Sequence, residues 1–159
     1  MPLARTHYLD GARSGSRVAD GYDAEATYAF DGKKIVLFAV PGAFTPTCSA
    51  KHVPGFLEHA TEIKNKGVDQ IVCLSVNDPF VMDAWGKDRG TGESILMLGD
   101  GNGDFTRAID LGLDGSGVGL GARSQRYAMI VENGTVTALE IEDGPGLTVS
   151  SAENILSKL

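Results

Sequence analysis

A chain of 159 residues, with ordinary apolar and charged fractions of 42% and 22%, has the length of one globular domain and enough material to bury a core. Its formal charge of −7 and its lack of a basic cluster argue against a nucleic-acid partner, and no apolar run reaches membrane-spanning length. Two cysteines, Cys48 and Cys73, are too few for a disulfide framework, and no apolar secretory stretch opens the chain, so a reducing cytoplasm is the expected setting.

Residues 1–30 are broken by Gly and Ser and alternate only weakly, which reads as a short strand or hairpin ending in a turn at Asp31-Gly32. His7 has no visible partner there and reads as a surface histidine. Ile35 to Val40 is an unbroken apolar run, the pattern of a strand buried on both faces. The turn Pro41-Gly42-Ala43-Phe44-Thr45-Pro46-Thr47 follows, and then Val53, Phe56, Leu57, Ala60 and Ile63 recur at helical spacing up to Gly67. Pro54 lacks an N–H and is expected to kink that helix after its first turn. Val68 to Val76 predicts a second buried strand, with Cys73 inside it as an inert core thiol.

Asp78 and Pro79 predict a helix start, as N-cap and first residue, for a segment carrying Phe80, Val81, Ala84 and Trp85 and ending at Gly86 to Gly90. Trp85 reads more readily as packing than as a binding ring. Ser94 to Leu98 predicts a third strand. The Gly99 to Asp104 loop lacks the distal glutamate of an EF-hand and reads as a turn capping a helix from Asp104 to Ile109. Gly115 to Gly119 has no Lys-Ser/Thr ending and is expected to be a flexible loop rather than a phosphate loop. Arg126 to Val131 and Thr135 to Ile141 flank Asn133-Gly134, a hairpin signal, and Ser150 with Glu153 reads as a capping box opening a last helix to Leu159. No repeat or linker divides the chain, so residues 1–159 are expected to form one domain.

A βαβ unit followed by a ββα unit is the core of the thioredoxin fold, an α/β architecture with a central mixed sheet flanked by helices, here carrying inserted elements between the halves. Cys48 occupies its reactive position, where a central strand hands over to a helix. Unpaired N–H groups of a first helical turn favour thiolate over thiol, although a free cysteine is more often a small buried hydrophobe. The sequence Thr45-Pro46-Thr47-Cys48 has a threonine where a dithiol exchanger has its first cysteine. No proline precedes the hairpin; Arg123 and Arg126 stand there instead. A lone thiolate with a hydroxyl and a guanidinium suits attack on a peroxide, whose departing oxygen gathers negative charge. His52 lies four residues after Cys48 on the same helical face. It can be read as the base of a Cys-His hydrolase, as half of a metal site, or as a contact supporting the thiolate; two ligands do not make a zinc site, and the last reading is favoured.

Pro41-x-x-x-Thr45-x-x-Cys48 resembles the active-site signature of the peroxiredoxins. His52, Pro54-Gly55-Phe56, Ser75-Val76-Asn77-Asp78, Trp85-Gly86 and Arg126-Tyr127-Ala128-Met129 extend the resemblance to the peroxiredoxin-5 subgroup. The resemblance implies a thiol-dependent peroxidase acting on hydrogen peroxide and organic hydroperoxides through a cysteine sulfenic acid, with no metal and no bound cofactor. It implies Cys48 as the peroxidatic nucleophile, Thr45 and Pro41 as its orienting and shielding partners, and Arg126 as the activating arginine. Subgroup members with an internal resolving cysteine carry it near Gly146 to Ser150, where this chain has Val149. An external thiol (glutathione, glutaredoxin or thioredoxin) is therefore the expected reductant. A homodimer is expected from the resemblance and from exposure of the Phe80–Trp85 helix. A non-enzymatic redox sensor and a Cys-His hydrolase are the alternatives in other functional classes.

Overall fold

The computed structural model describes residues 32–159 and, as backbone alone, two short strands, β1 (Arg17–Val18) and β2 (Tyr22–Asp23), paired antiparallel. His7 and the rest of the expected N-terminal structure lie outside the described residues. The central strand is β3 (Lys34–Ala39). It pairs in parallel with β4 (Gln70–Ser75), which pairs in parallel with β5 (Leu96–Gly99). On its other side β3 pairs antiparallel with β8 (Tyr127–Glu132), and β8 with β9 (Thr135–Ile141). The resulting order, β5-β4-β3-β8-β9, is the mixed sheet of the thioredoxin fold.

Because β3 is central, both of its faces need apolar cover, and the unbroken run meets that need by alternation. Val36, Phe38 and Val40 enter one core with Cys48, Val53, Phe56, Ile63, Met82, Trp85 and Ile155. Ile35, Leu37 and Ala39 enter the opposite core with Leu98, Phe105, Ile109 and Tyr127. The first core is roofed by α1 (Val53–Glu58), α2 (Ala60–Asn65), α3 (Pro79–Arg89) and α5 (Ala152–Leu156); α4 (Asp104–Ala108) covers the second.

Several local signals are realised as read. Asp78 caps α3 by accepting from the Val81 N–H at 2.8 Å, and Gly90 ends it in the left-handed region. Asn133 and Gly134 have φ of +48° and +79°, the two positive values that a tight two-residue hairpin turn requires. Other signals are realised differently. Ahead of Pro54 the helix widens: Cys48–His52 is a π-helical turn, closed by a bond from the Val53 N–H to the Cys48 carbonyl. Ser151, not Ser150, caps α5, by accepting from the Asn154 N–H. Gly115–Gly119 lies at the tip of a small ribbon, with β6 (Gly112–Asp114) and β7 (Ala122–Ser124) paired and residues 116–118 in one 3₁₀ turn. On α3, Phe80 is 64% exposed whereas Trp85 is fully buried, so the helix is not exposed along its whole length.

Candidate active site

The backbone leaving β3 is pinned before it reaches Cys48. The Val40 N–H bonds the Leu74 carbonyl, continuing the pairing with β4 one residue further. Asn77 then accepts, on one side-chain oxygen, from the Ala43 N–H at 2.9 Å and from the Ser75 hydroxyl at 2.6 Å. Gly42 lets the turn pack closely, since a Cβ would lie 3.0 Å from the Thr45 methyl and 3.2 Å from an Arg123 nitrogen. Phe44 takes φ of +61°, a left-handed conformation that a bulky residue adopts only when its surroundings impose it.

The helix opens at Thr45, whose carbonyl accepts from the Ser49 N–H, so Cys48 stands in the first turn. The Thr45 hydroxyl donates to the Gly42 carbonyl at 2.6 Å. Trp85 donates its indole N–H to the Ser49 hydroxyl at 3.0 Å, tying the first turn to α3. Cys48 is buried at 1% exposure among the apolar residues of the first core, where a charge is costly unless it is paired.

Arg126 supplies the opposing charge. It enters from the residue before β8 and donates from Nη2 to Cys48 Sγ at 3.2 Å. Its Nη1 donates to His52 Nδ1 at 2.9 Å, and the other ring nitrogen of His52, Nε2, donates to the Ser150 carbonyl at 2.9 Å. The histidine is thereby held as one neutral tautomer, Nε2–H with a bare Nδ1. Burial and then the Arg126 charge lower its pKa to about 3. Its ring rests against Phe38 and Phe56, with centroids 4.8 and 5.6 Å away. Since both ring nitrogens are engaged with other partners, His52 is not arranged as a base for Cys48. A Cys-His hydrolase has no support in this geometry. Arg126 Nε is buried and has no partner among the described residues.

Arg123 is placed differently. Its Nε donates to the Leu120 carbonyl at 2.7 Å, and its guanidinium lies against Gly42, so it braces the turn from outside. Pro41, Thr45, Pro46, Leu113, Arg126 and Pro145 are among the walls of a cleft of about 500 Å³ that opens to solvent. Cys73 is fully buried in the middle of β4, between Phe38 of β3 and Met97 of β5, and burial pushes its thiol pKa well up.

The chain matches the Redoxin family model over residues 17–156. It is 54% identical to peroxiredoxin-2B of Arabidopsis thaliana over 128 residues, which cover 80% of this chain and 79% of that one. The chain belongs to the peroxiredoxin family. This peroxiredoxin is also 55% identical over 130 residues to the chloroplastic peroxiredoxin-2E of the same plant, matching 80% of its own length and 56% of the longer relative. Among solved structures it resembles reduced Prx3 of Vibrio vulnificus in complex with hydrogen peroxide, with a TM-score of 0.84 and 50% identity, covering 91% of this chain and 88% of that one.

The structure brings Cys48, His52 and Arg126 into contact, sets Thr45 one turn before the thiol, and puts Pro41 and Thr45 on the cleft wall. It adds Glu142, which sequence reading did not single out. The Glu142 carboxylate accepts from the Thr148 N–H and hydroxyl and from the Ser150 N–H and hydroxyl, at 2.6 to 2.9 Å. Those hydrogen bonds bring its pKa down to about 2 against the cost of burial. The only sequence signal was an acid standing a few residues before two hydroxyl residues, which is too common to be read alone.

Proposed function

We propose that this peroxiredoxin is a one-cysteine, thiol-dependent peroxidase reducing hydrogen peroxide and organic hydroperoxides, with Cys48 as nucleophile. The observation that carries this reading is the Arg126 guanidinium 3.2 Å from Cys48 Sγ, with both residues buried at the foot of the β3 turn. A fixed cation there needs no rearrangement to meet the charge that develops on the departing oxygen.

In the reaction the Cys48 thiolate attacks one peroxide oxygen. An S–O bond forms, the O–O bond breaks, and the electron pair leaves with the second oxygen, which takes a proton to become water or an alcohol. Arg126 also lines the cleft, and a guanidinium N–H not engaged by His52 or Cys48 can donate to the bound oxygens. Thr45 stands on the cleft wall, where its hydroxyl oxygen can accept from the peroxide O–H while its own proton remains on the Gly42 carbonyl. Pro41, Pro46, Leu113 and Pro145 give the cleft an apolar wall with room for an alkyl group, which supports organic hydroperoxides beside hydrogen peroxide. The hydrogen peroxide complex of the Vibrio relative supports the smaller substrate.

The sulfenic acid on Cys48 is then reduced from outside. A thiol displaces hydroxide from the sulfenic sulfur, giving water and a mixed disulfide, and a second thiol releases Cys48 as thiolate. Glutathione, glutaredoxin and thioredoxin are the donors proposed. An external donor is supported by Val149, 37% exposed at the place where the peroxiredoxin-5 resemblance implies a resolving thiol in members that have one, and by the depth of Cys73. The exposed Phe44 and Phe80 rings, at 53% and 64%, support a homodimer, and the two free thiols suit the reducing cytoplasm.

The test is steady-state consumption of hydrogen peroxide and of an alkyl hydroperoxide with each donor in turn. It is joined to intact-protein mass spectrometry after one equivalent of peroxide in the presence of a sulfenic-acid trap. Turnover with at least one donor and a trapped adduct on Cys48 are expected. Stoichiometric oxidation without turnover on any donor would instead make the protein a sensor. Quantitative formation of a Cys48–Cys73 disulfide would overturn the one-cysteine cycle.

A further inference from the structure

The Arg126 guanidinium is useful only while it points at the sulfur, and nothing in its own segment fixes that direction. The support comes from the far end of the chain. Glu142 follows the last residue of β9, and its N–H bonds the Arg126 carbonyl at 3.0 Å, so the backbones of these two residues share one rung. Beyond it, residues 143–149 form no helix or strand. The course of that segment is set where it returns to the Glu142 carboxylate. Oε1 accepts from the N–H groups of Thr148 and Ser150 and from the Ser150 hydroxyl, and Oε2 from the Thr148 hydroxyl. Four donors on one buried carboxylate satisfy nearly all of its lone pairs.

This arrangement aims the Ser150 carbonyl at His52 Nε2. With its proton held there, His52 has a bare Nδ1, the only form of the ring that can accept from Arg126 Nη1. If the Ser150 carbonyl withdrew, the proton could move to Nδ1, and an N–H would then oppose the guanidinium N–H. Arg126 would have to turn, taking Nη2 away from the sulfur. We propose that Glu142 is a positioning residue for the Arg126–Cys48 pair, acting through Ser150 and the tautomer of His52. The inference rests on the reading of Cys48 and Arg126 as the reacting pair, and it adds a residue that touches neither the sulfur nor the guanidinium side chain.

Three variants separate positioning from general loosening. Glu142→Ala removes all four acceptor contacts. Glu142→Gln keeps an oxygen for the two N–H groups, and its amide can donate to the Thr148 hydroxyl, so it retains the geometry without the charge. Asn154→Ala breaks only the bond from Asn154 Nδ2 to the Val149 carbonyl, loosening the same segment outside the relay. Two readouts need no peroxide: the rate of Cys48 alkylation by iodoacetamide across pH in a Cys73→Ser background, and the His52 tautomer from nitrogen NMR of ¹⁵N-histidine-labelled protein.

Glu142→Ala should slow alkylation at mildly acidic pH by about tenfold, the order expected for one lost hydrogen bond, move the rate profile to higher pH, and lose the pure Nε2–H signature. Glu142→Gln should stay within about threefold of the parent, less than the effect of one full hydrogen bond, and keep the tautomer. Asn154→Ala should match the parent in both. A parent-like profile and tautomer in Glu142→Ala would overturn the proposal, as would equal changes in Asn154→Ala. Should Glu142→Ala fail to fold, Thr148→Val, which removes one hydroxyl donor, replaces it; a parent-like tautomer and rate there would count against the relay, and a partial shift of both would support it. Because both readouts are independent of turnover, they can succeed even if the peroxidase assay fails.

Discussion

Replacing Arg126 by Met tests the reading most sharply, because the two guanidinium bonds fail in different ways. The bond to Cys48 acts on reactivity. Losing one preorganised charge-stabilising donor costs a hundredfold or more in rate, roughly 3 kcal/mol of barrier. The bond to His52 acts on stability. Met leaves the bare Nδ1 of a fully buried ring without a donor, and an unsatisfied buried acceptor costs about 1–3 kcal/mol. Arg126→Lys is the informative companion. An ammonium restores the charge, but it lacks the planar fork that reaches Nδ1 and Sγ together, so only part of the rate should return. Trp85 is the single tryptophan, and its indole N–H bonds Ser49, the neighbour of Cys48, so its fluorescence should report oxidation directly. Rapid mixing of peroxide with reduced protein would give the second-order constant for each variant, and denaturant unfolding the stability. Near-parent oxidation in Arg126→Met, with its fold intact, would refute the argument that this guanidinium drives the chemistry.

Cys48→Ser should abolish peroxide consumption, whereas Cys73→Ser should retain most of it; equal losses in two folded variants would contradict the assignment. Stability should fall on acidification in two stages. His52 is held neutral in the folded state, with a pKa of about 3 against an ordinary 6.5, so its contribution is complete above 6.5 and drains away as pH falls toward 3. Glu142, lowered from 4.5 to about 2, adds a second loss between those values. Thermal unfolding measured from pH 7 to 3 checks the sign, and a flat or rising midpoint would be inconsistent with it. Sedimentation at about tens of micromolar, suited to a modest interface, should show a dimer that Phe80→Glu weakens. An unaltered dimer would place the contact elsewhere.

What could be read from the sequence divides along the range of the interactions. Strand β3 and strand β4 were legible because both of their faces are apolar, and the hairpin because Asn-Gly carries the two positive φ values within itself. Asp78 and Pro79 announced α3 for the same local reason. The misreadings arose where a remote partner took over. Ser150 has the composition of a helix cap, yet its hydroxyl is committed to Glu142 and the cap passes to Ser151. The widened turn before Pro54 cannot be foreseen from spacing, since a missing N–H can be met by a kink or by one longer hydrogen bond. The ribbon around Gly115 closes through Gly115–Gly121 and Leu113–Arg123 pairings that glycine content alone conceals.

The site shows the same division more strongly. Cys48, Thr45 and Pro41 are local: a strand end, a stiff turn and a helix start place them within one stretch. Arg126 and His52 were named from motif and helical spacing, but neither source contains the fact that they touch each other. That contact, more than the proximity of His52 to Cys48 along the helix, determines what the histidine does. A ring four residues from a thiol invites reading as its base. Once the Ser150 carbonyl holds Nε2–H and Arg126 fills Nδ1, the same ring is a fixed acceptor that orients a cation. The chemistry of the thiol was therefore legible from the residues beside it. The means of holding its counter-charge was not, because it runs through Glu142 and a backbone carbonyl from parts of the chain that only the fold brings together.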